Sequence, residues 1–276
     1  MSSLQKMLQI CEKFAIDHNL NFSTDMNPLK CKTKCAAFLR KPGSISDVRL
    51  CGNKLPWVDQ FKRLGNTISN VFPYTEQDIL IKRGQFISKN LELNQEFYFA
   101  CPRTKFEINS IYNSHFYGSP LWDLTGKSAI NFESTYNRGI KVMFNLPLST
   151  HRNLVEHVSG HAHLRKTLIS RFLGFIEQIR KSRKVVPKLL LSQISHDVRS
   201  TSGKNLRDIL LQTGKFDVDE LVKSDVQCIF YHPLDEEDNW KARLLNEIID
   251  ARQKKLNLDE FTEDEMSDLI TFICTS

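Results

Sequence analysis

Between Val48 and Ile68 the residue order leaves little room for anything but short reversing strands. Two brief apolar runs, Val48 to Cys51 and Trp57 to Phe61, flank the pair Gly52-Asn53, which reaches positive φ readily and so predicts a tight hairpin. A third run passes through Leu64-Gly65. Gly65 has no Cβ, so a partner can come closer to the backbone there than at its neighbours, and Phe61, Lys62, Arg63 and Leu64 lead into it. A positively charged point of close approach suits a sugar-phosphate backbone better than an apolar ligand. The same residues also fit a plain surface hairpin with two solvated cations.

The remaining residues set the scale of the fold. With 276 residues, 41% hydrophobic and 25% charged, the chain can bury one large core or two modest ones. No uncharged apolar run reaches the roughly 18 residues of a membrane span. The opening Met1 to Met7 runs straight into an amphipathic pattern without the features of a signal peptide. These readings predict an intracellular protein with no membrane contact, with nucleus and cytoplasm undistinguished. The seven cysteines form no Cys-x-x-Cys pair, which points to reduced thiols rather than a disulfide framework or zinc ribbon. Charge is unevenly spread. Through Gly203, 29 Lys and Arg stand against 15 Asp and Glu, and from Lys204 onward 9 stand against 17. A basic body suits a polyanionic partner, because clustered cations release counterions from phosphates, although solubility alone also accounts for charge.

Taken in order, the chain opens on a helix from Leu4 to near Asn19, with Ser2 and Gln5 as a capping box. A turn-rich loop, Asn21 to Pro28, leads to the cationic alternation Lys30, Lys32, Lys34 and a strand Cys35 to Leu39 that Arg40-Lys41-Pro42-Gly43 ends. Helices are predicted at Thr75 to about Leu91, from Pro102 to about His115, at Phe132 to Phe144, Thr150 to Ser159 and His163 to Ser182. An aromatic corner, Phe116 to Trp122, interrupts them. The cations Arg180, Lys181, Arg183 and Lys184 suit a helix C-terminus and equally suit phosphates. Ser200 to Leu206 starts another helix, Pro233 to Asp238 reads as an acidic linker, and Trp240 to about Lys255 as a helix with Trp240, Leu244, Ile248 and Ala251 on one face.

Catalytic signatures are scarce. His151, His157, His161 and His163 lie close in sequence, but no Cys or acidic partner stands at zinc-site spacing, so no metal site is expected. No nucleophile elbow, Walker loop, dinucleotide fingerprint or His-Glu-x-x-His occurs, and there is no adjacent Asp pair.

The order of several short segments carries a resemblance. Ser3 to Leu8, Asn21 to Asp25, Asn27-Pro28, Lys30 to Phe38, Leu55-Pro56-Trp57-Val58 and Lys62-Arg63-Leu64-Gly65 resemble the downstream part of the reverse transcriptase of non-LTR retrotransposons, an RNA-directed DNA polymerase. Tyr117 to Trp122, Asn137-Arg138-Gly139-Ile140 before Leu146-Pro147, Thr150-His151-Arg152, and Arg171 with Phe172 and Phe175 continue it. The resemblance implies an α+β, mostly α fold. Residues 1–72 would be the end of the palm with a primer-grip hairpin, 73–190 a helical thumb-like region, and 191–276 an acidic helical region. Lys30, and after it Lys34, matches the lysine thought to assist pyrophosphate departure, with Cys31 where Ser or Thr is usual; Phe61 to Gly65 matches the hairpin that grips the primer strand.

In that family a Tyr-x-Asp-Asp turn holds the two Mg ions, and it would lie upstream of Met1. Two-metal nucleotidyl transfer needs those carboxylates, and Asp17, Asp25 and Asp47 do not replace them by spacing. The expectation is therefore a segment with no catalytic residue, no cofactor and no polymerase activity alone. Lys30, Lys32, Lys34, Lys62 and Arg63 would bind an RNA or DNA primer-template weakly and salt-sensitively. An upstream polymerase segment is a further possible partner. The alternative is a domesticated protein-interaction module with an unknown protein partner. An unpaired palm edge and an exposed apolar face on the first helix would accompany either.

Overall fold

The computed structural model describes residues 3–25, 27, 30–38, 46–113, 116–160, 163–197, 199–215, 236–253, 267–268 and 270–271. Ser2, Pro28, the stretch from Leu39 to Gly43, His115, His161 and Pro233 to Asp235 lie outside these residues. Among the described residues the fold is mostly helical, with two small antiparallel hairpins, and the chain divides into two compact units, Met1–Asp78 and Ile79–Ser276. No helix among the described residues is long and apolar enough to cross a membrane.

The first unit begins with α1, Ser3–Asp17, which ends as Asn19 takes a positive φ of 53°. The Ser2 half of the expected capping box lies outside the described residues, and Gln5 reaches β1, Arg49–Leu50. The Gln5 side-chain amide donates to the Arg49 carbonyl at 2.8 Å and accepts from the Arg49 N–H at 2.9 Å, and the Glu12 carboxylate accepts from the Cys51 N–H. Gln5 thus occupies the outward backbone groups of Arg49 in β1, and Glu12 the N–H of the adjoining turn residue Cys51. Leu8 packs from the same side on a small core of Val48, Leu50 and Leu55. The opposite side of α1 is apolar and open, with Met7 62%, Ile10 70% and Phe14 55% exposed.

The first hairpin differs from its expected register. β1 pairs with β2, Asn53–Lys54, around a turn made by Cys51 and Gly52, whose φ angles are 50° and 75°. Both central residues of such a turn must be left-handed, and the turn has closed one residue earlier than Gly52-Asn53. Asn53 is thereby free to donate its side-chain N–H to the Thr24 carbonyl at 2.9 Å. Trp57 to Phe61 is not the returning strand. Trp57 instead bridges Cys35 in parallel, through Cys35 N–H to the Pro56 carbonyl at 2.9 Å and Val58 N–H to the Cys35 carbonyl at 2.8 Å. The second hairpin joins β3, Gln60–Arg63, to β4, Asn66–Ser69.

The second unit is helical. α2 (Glu76–Glu96), which starts within the first unit, α3 (Pro102–Asn113), α4 (Lys127–Met143), α5 (Arg152–Ser159), α6 (Leu164–Lys181), α7 (Val185–His196), α8 (Thr201–Thr213) and α9 (Glu236–Gln253) follow in order. α6 buries Leu164, Leu168, Ile169, Phe172, Leu173 and Ile176 at helical spacing, in a core that also holds Phe86, Trp122 and Phe132. α4 reaches this core through Ala129 and Phe132, and a second core, with α5 and α9, through Ile140 and Met143. On α9 the buried side is Ala242, Leu245, Ile248 and Ile249, turned about one residue from the expected Leu244–Ile248 stripe. Glu236 to Asp238, expected as linker, already belong to this helix. α7 was not legible: Pro187 reads as a breaker, yet in a first helical turn its missing N–H costs nothing.

Two contacts fix the helices closely. The corner that ends at the fully buried Trp122 is held by Asn205, whose amide donates to the Trp122 carbonyl at 2.7 Å and accepts from the Leu124 N–H at 2.9 Å. Gly139 on α4 faces α2 so tightly that a Cβ would stand 2.5 Å from Asn90 Nδ2 and 3.0 Å from Phe86 Cε1. By contrast a Cβ at the exposed, helical Gly84 meets nothing within 4 Å. Gly84→Ala is therefore expected to stabilise the fold by about 1 kcal/mol, and Gly139→Ala to destabilise it by about 1–3 kcal/mol. Urea denaturation of the two variants checks both signs.

Candidate nucleic-acid interface

The β3–β4 hairpin gathers five of the residues expected to touch nucleic acid. Gln60, Phe61, Lys62 and Arg63 stand opposite Ser69, Ile68, Thr67 and Asn66. Alternation along a strand sends Phe61 and Arg63 to one face and Lys62 to the other. The two cations, adjacent in sequence, thus serve different faces. Thr67 and Ser69, on the Lys62 face, are buried, and the Thr67 N–H donates at 2.8 Å to the carboxylate of the buried Asp78. The Phe61 face is only half-covered. Lys62 and Arg63 are exposed, and neither makes an ion pair among the described residues.

Leu64 and Gly65 form the tip, with φ of 50° and 82°. Positive φ at both positions is what a type I′ hairpin turn demands, and this accounts for Gly65 without a close-approaching ligand; a Cβ there would enter open space. Leu64 is the unusual member. It is 76% exposed and held in a conformation that L-residues with branched side chains resist.

Lys30, Lys32 and Lys34 lie on the preceding segment. Asn27 accepts from the Lys30 N–H at 3.0 Å, and the chain then runs extended, exposing Lys32 and Lys34 while Cys31 turns inward with its thiol donating to the Thr33 carbonyl at 2.9 Å. Burial, reinforced by Cys31, pushes the Cys35 thiol above its usual range, so it stays protonated. The parallel bridge to Trp57 brings this segment beside the hairpin.

That approach assembles a feature the sequence did not disclose. Phe38 meets Phe61 at a ring-centroid distance of 6.5 Å and Tyr74 at 5.5 Å, and Tyr74 meets Phe72 at 5.6 Å, every contact edge-on. The 70–74 loop is held against β4 by the Ser69 N–H donating to the Tyr74 carbonyl at 2.9 Å. Phe38 and Phe72 remain about half exposed, at 48% and 50%. The rings come from three segments, so no local pattern announces the row.

The other candidates resolve into structural roles. Arg180 and Lys181 both pair with Glu177, at 2.7 and 3.0 Å, and their hydrogen bonds hold its carboxyl down at about 2; this leaves Arg183 and Lys184 exposed. His163 caps α6. Its Nδ1 accepts from the Arg165 N–H at 3.2 Å and from the Arg152 guanidinium at 2.7 Å, and the Asn137 side-chain nitrogen lies 2.8 Å from Nε2. The nearby Glu133 oxygen, 3.3 Å from Nδ1, pairs instead with Arg152 at 2.8 Å. Burial, with Arg152, Lys166 and Arg165 around it, holds His163 down at about 3. Among the described residues no three His, Cys, Asp or Glu come together as a metal site, and without an Asp pair the chain does not fit the two Mg ions of the family it resembles.

No protein-family model, curated protein or solved structure matches the chain.

Leu64→Asn, which suits positive φ, is expected to stabilise the first unit by about 1 kcal/mol, read from its urea midpoint. For His163 the folded pKa lies below the unfolded value near 6.5, so its contribution is complete above about pH 6.5 and is lost as pH falls toward 3, at up to about 1.4 kcal/mol per pH unit. His163→Gln, neutral throughout, should flatten that slope in melts taken across the window.

Proposed function

We propose that this chain derives from a retrotransposon-encoded reverse transcriptase and retains the part that holds primer-template RNA or DNA, without polymerising. On this reading the first unit is the end of the palm with its primer-grip hairpin, and the helices after it are thumb-like. The observation that carries the reading is the β3–β4 hairpin, which sets half-buried Phe61 and exposed Arg63 on one face beside an open Leu64-Gly65 tip, with Lys62 on the other face. Lys32 and Lys34, exposed on the neighbouring extended segment, add positive charge. Contacts of this kind are to phosphate and tolerate any sequence.

A second reading, a protein-interaction module, is favoured by one observation, the open apolar side of α1 with Met7, Ile10 and Phe14. Charge reversal separates the two. Lys62→Glu with Arg63→Glu should abolish oligonucleotide binding that otherwise weakens steeply with salt, each lost phosphate contact lowering the salt slope by about 0.7–0.9. Binding that is absent in the unaltered protein, flat with salt, or indifferent to the double substitution would sink the nucleic-acid reading. The same preparations are expected to show no templated extension with Mg.

A further inference from the structure

Phe38, Phe61, Phe72 and Tyr74 present a surface that phosphate contacts alone do not explain. Each neighbouring pair of rings is set edge-on, with interplanar angles of 77°, 84° and 86°, which fixes the ring planes while leaving Phe38 and Phe72 half exposed. Rings ordered in this way before a partner arrives lose little freedom on binding. The backbone tethers from Cys35 to Pro56 and Val58, and from Ser69 to Tyr74, hold the segments that carry them. A cation ends the row. Arg63 lies on the same face of β3 as Phe61 and about 7 Å along the strand from it.

We infer that this aromatic row is a stacking platform for the bases of an unpaired nucleic-acid strand, with Arg63 taking a neighbouring phosphate. The inference rests on the proposed nucleic-acid reading and sharpens it. In a duplex the base faces are covered by their neighbours, and only an unpaired strand has faces to offer. Aromatic stacking is indifferent to base identity, because every base has a π-face. The apolar rings beside a cation complement the two parts of such a strand, its bases and its phosphates. An apolar peptide would leave Arg63 without a partner. The platform therefore favours single strands over duplex, a preference that cations alone do not create.

The test compares three probes at fixed salt by fluorescence anisotropy on the full chain: an oligothymidylate of about 20 nucleotides, an abasic strand of the same length and charge, and the corresponding duplex. Oligouridylate in place of oligothymidylate shows which sugar is preferred, and an excess over the abasic strand with either supports the inference. The expected excess is about tenfold or more. Phe38→Leu and Phe72→Leu keep apolar bulk but remove the π-face, and each should cut binding of the base-bearing strand about fivefold or more while leaving the abasic strand and duplex unchanged. Equal affinity for base-bearing and abasic strands in the unaltered protein overturns the platform, and this comparison needs no variant to fold. So does a Phe→Leu series that leaves every probe unchanged or weakens all alike. Salt-sensitive binding that ignores bases leaves the phosphate reading standing and removes only the platform; no binding to any probe removes both.

Discussion

Two consecutive residues at positive φ close each hairpin of the first unit, and the surrounding contacts follow from that constraint. Cys51-Gly52 and Leu64-Gly65 supply the backbone twist that two right-handed strands need in order to meet across two residues. In both turns glycine takes the second position and an ordinary side chain is forced into the first, at a cost of about 1–2 kcal/mol. Closure is what allows the rest. Once β1 and β2 are joined, Gln5 and Glu12 of α1 have an edge to bond to, and Leu8 has a core to enter. Once β3 and β4 are joined, Phe61 has a face to stand on.

Local order was legible in the sequence where local chemistry decides it. Helix periodicity located α1, α5 and α6 and found α4 and α9 with starts at Phe132 and Trp240 that the structure moves back to Lys127 and Glu236, while the Gly-Pro corner before Trp122 broke the chain where expected. α2 outran its expected end by five residues, since nothing after Leu91 stops it before Phe97. The hairpin register was not legible, because a glycine can occupy either central position of a tight turn and only the paired strands decide which. The candidate site followed the same division. Phe61 to Gly65 were found because they are contiguous. Phe38, Phe72 and Tyr74 were missed because their meeting depends on a backbone bridge between Cys35 and Trp57, a non-local pairing with no periodic signature.

Several residues that invite a chemical role are accounted for by packing. His163 stands among cations yet remains a neutral hydrogen-bonding cap, since two N–H donors already point at Nδ1. A protonated ring there would lose both bonds and face three positive side chains. Gly139 is explained by the close packing of α4 on α2, where a Cβ would meet Asn90 and Phe86. Half of the basic cluster closing α6 is engaged by Glu177, so its remaining field comes from Arg183 and Lys184.

Asn205 gives the corner before α4 an unusual mechanical standing. A surface loop normally opens by itself, trading its backbone bonds for water while the helices beside it stay formed. Here the carbonyl of Trp122 and the N–H of Leu124 are both held by one side chain that is 1% exposed and belongs to a helix some eighty residues later. The corner cannot lift without withdrawing Trp122 from the aromatic cluster and pulling Asn205 out of α8's buried face. The Leu124 amide proton would exchange with solvent as slowly as those of the helices around it. The polypeptide most loop-like in appearance is thereby among the last parts of the helical unit to let go.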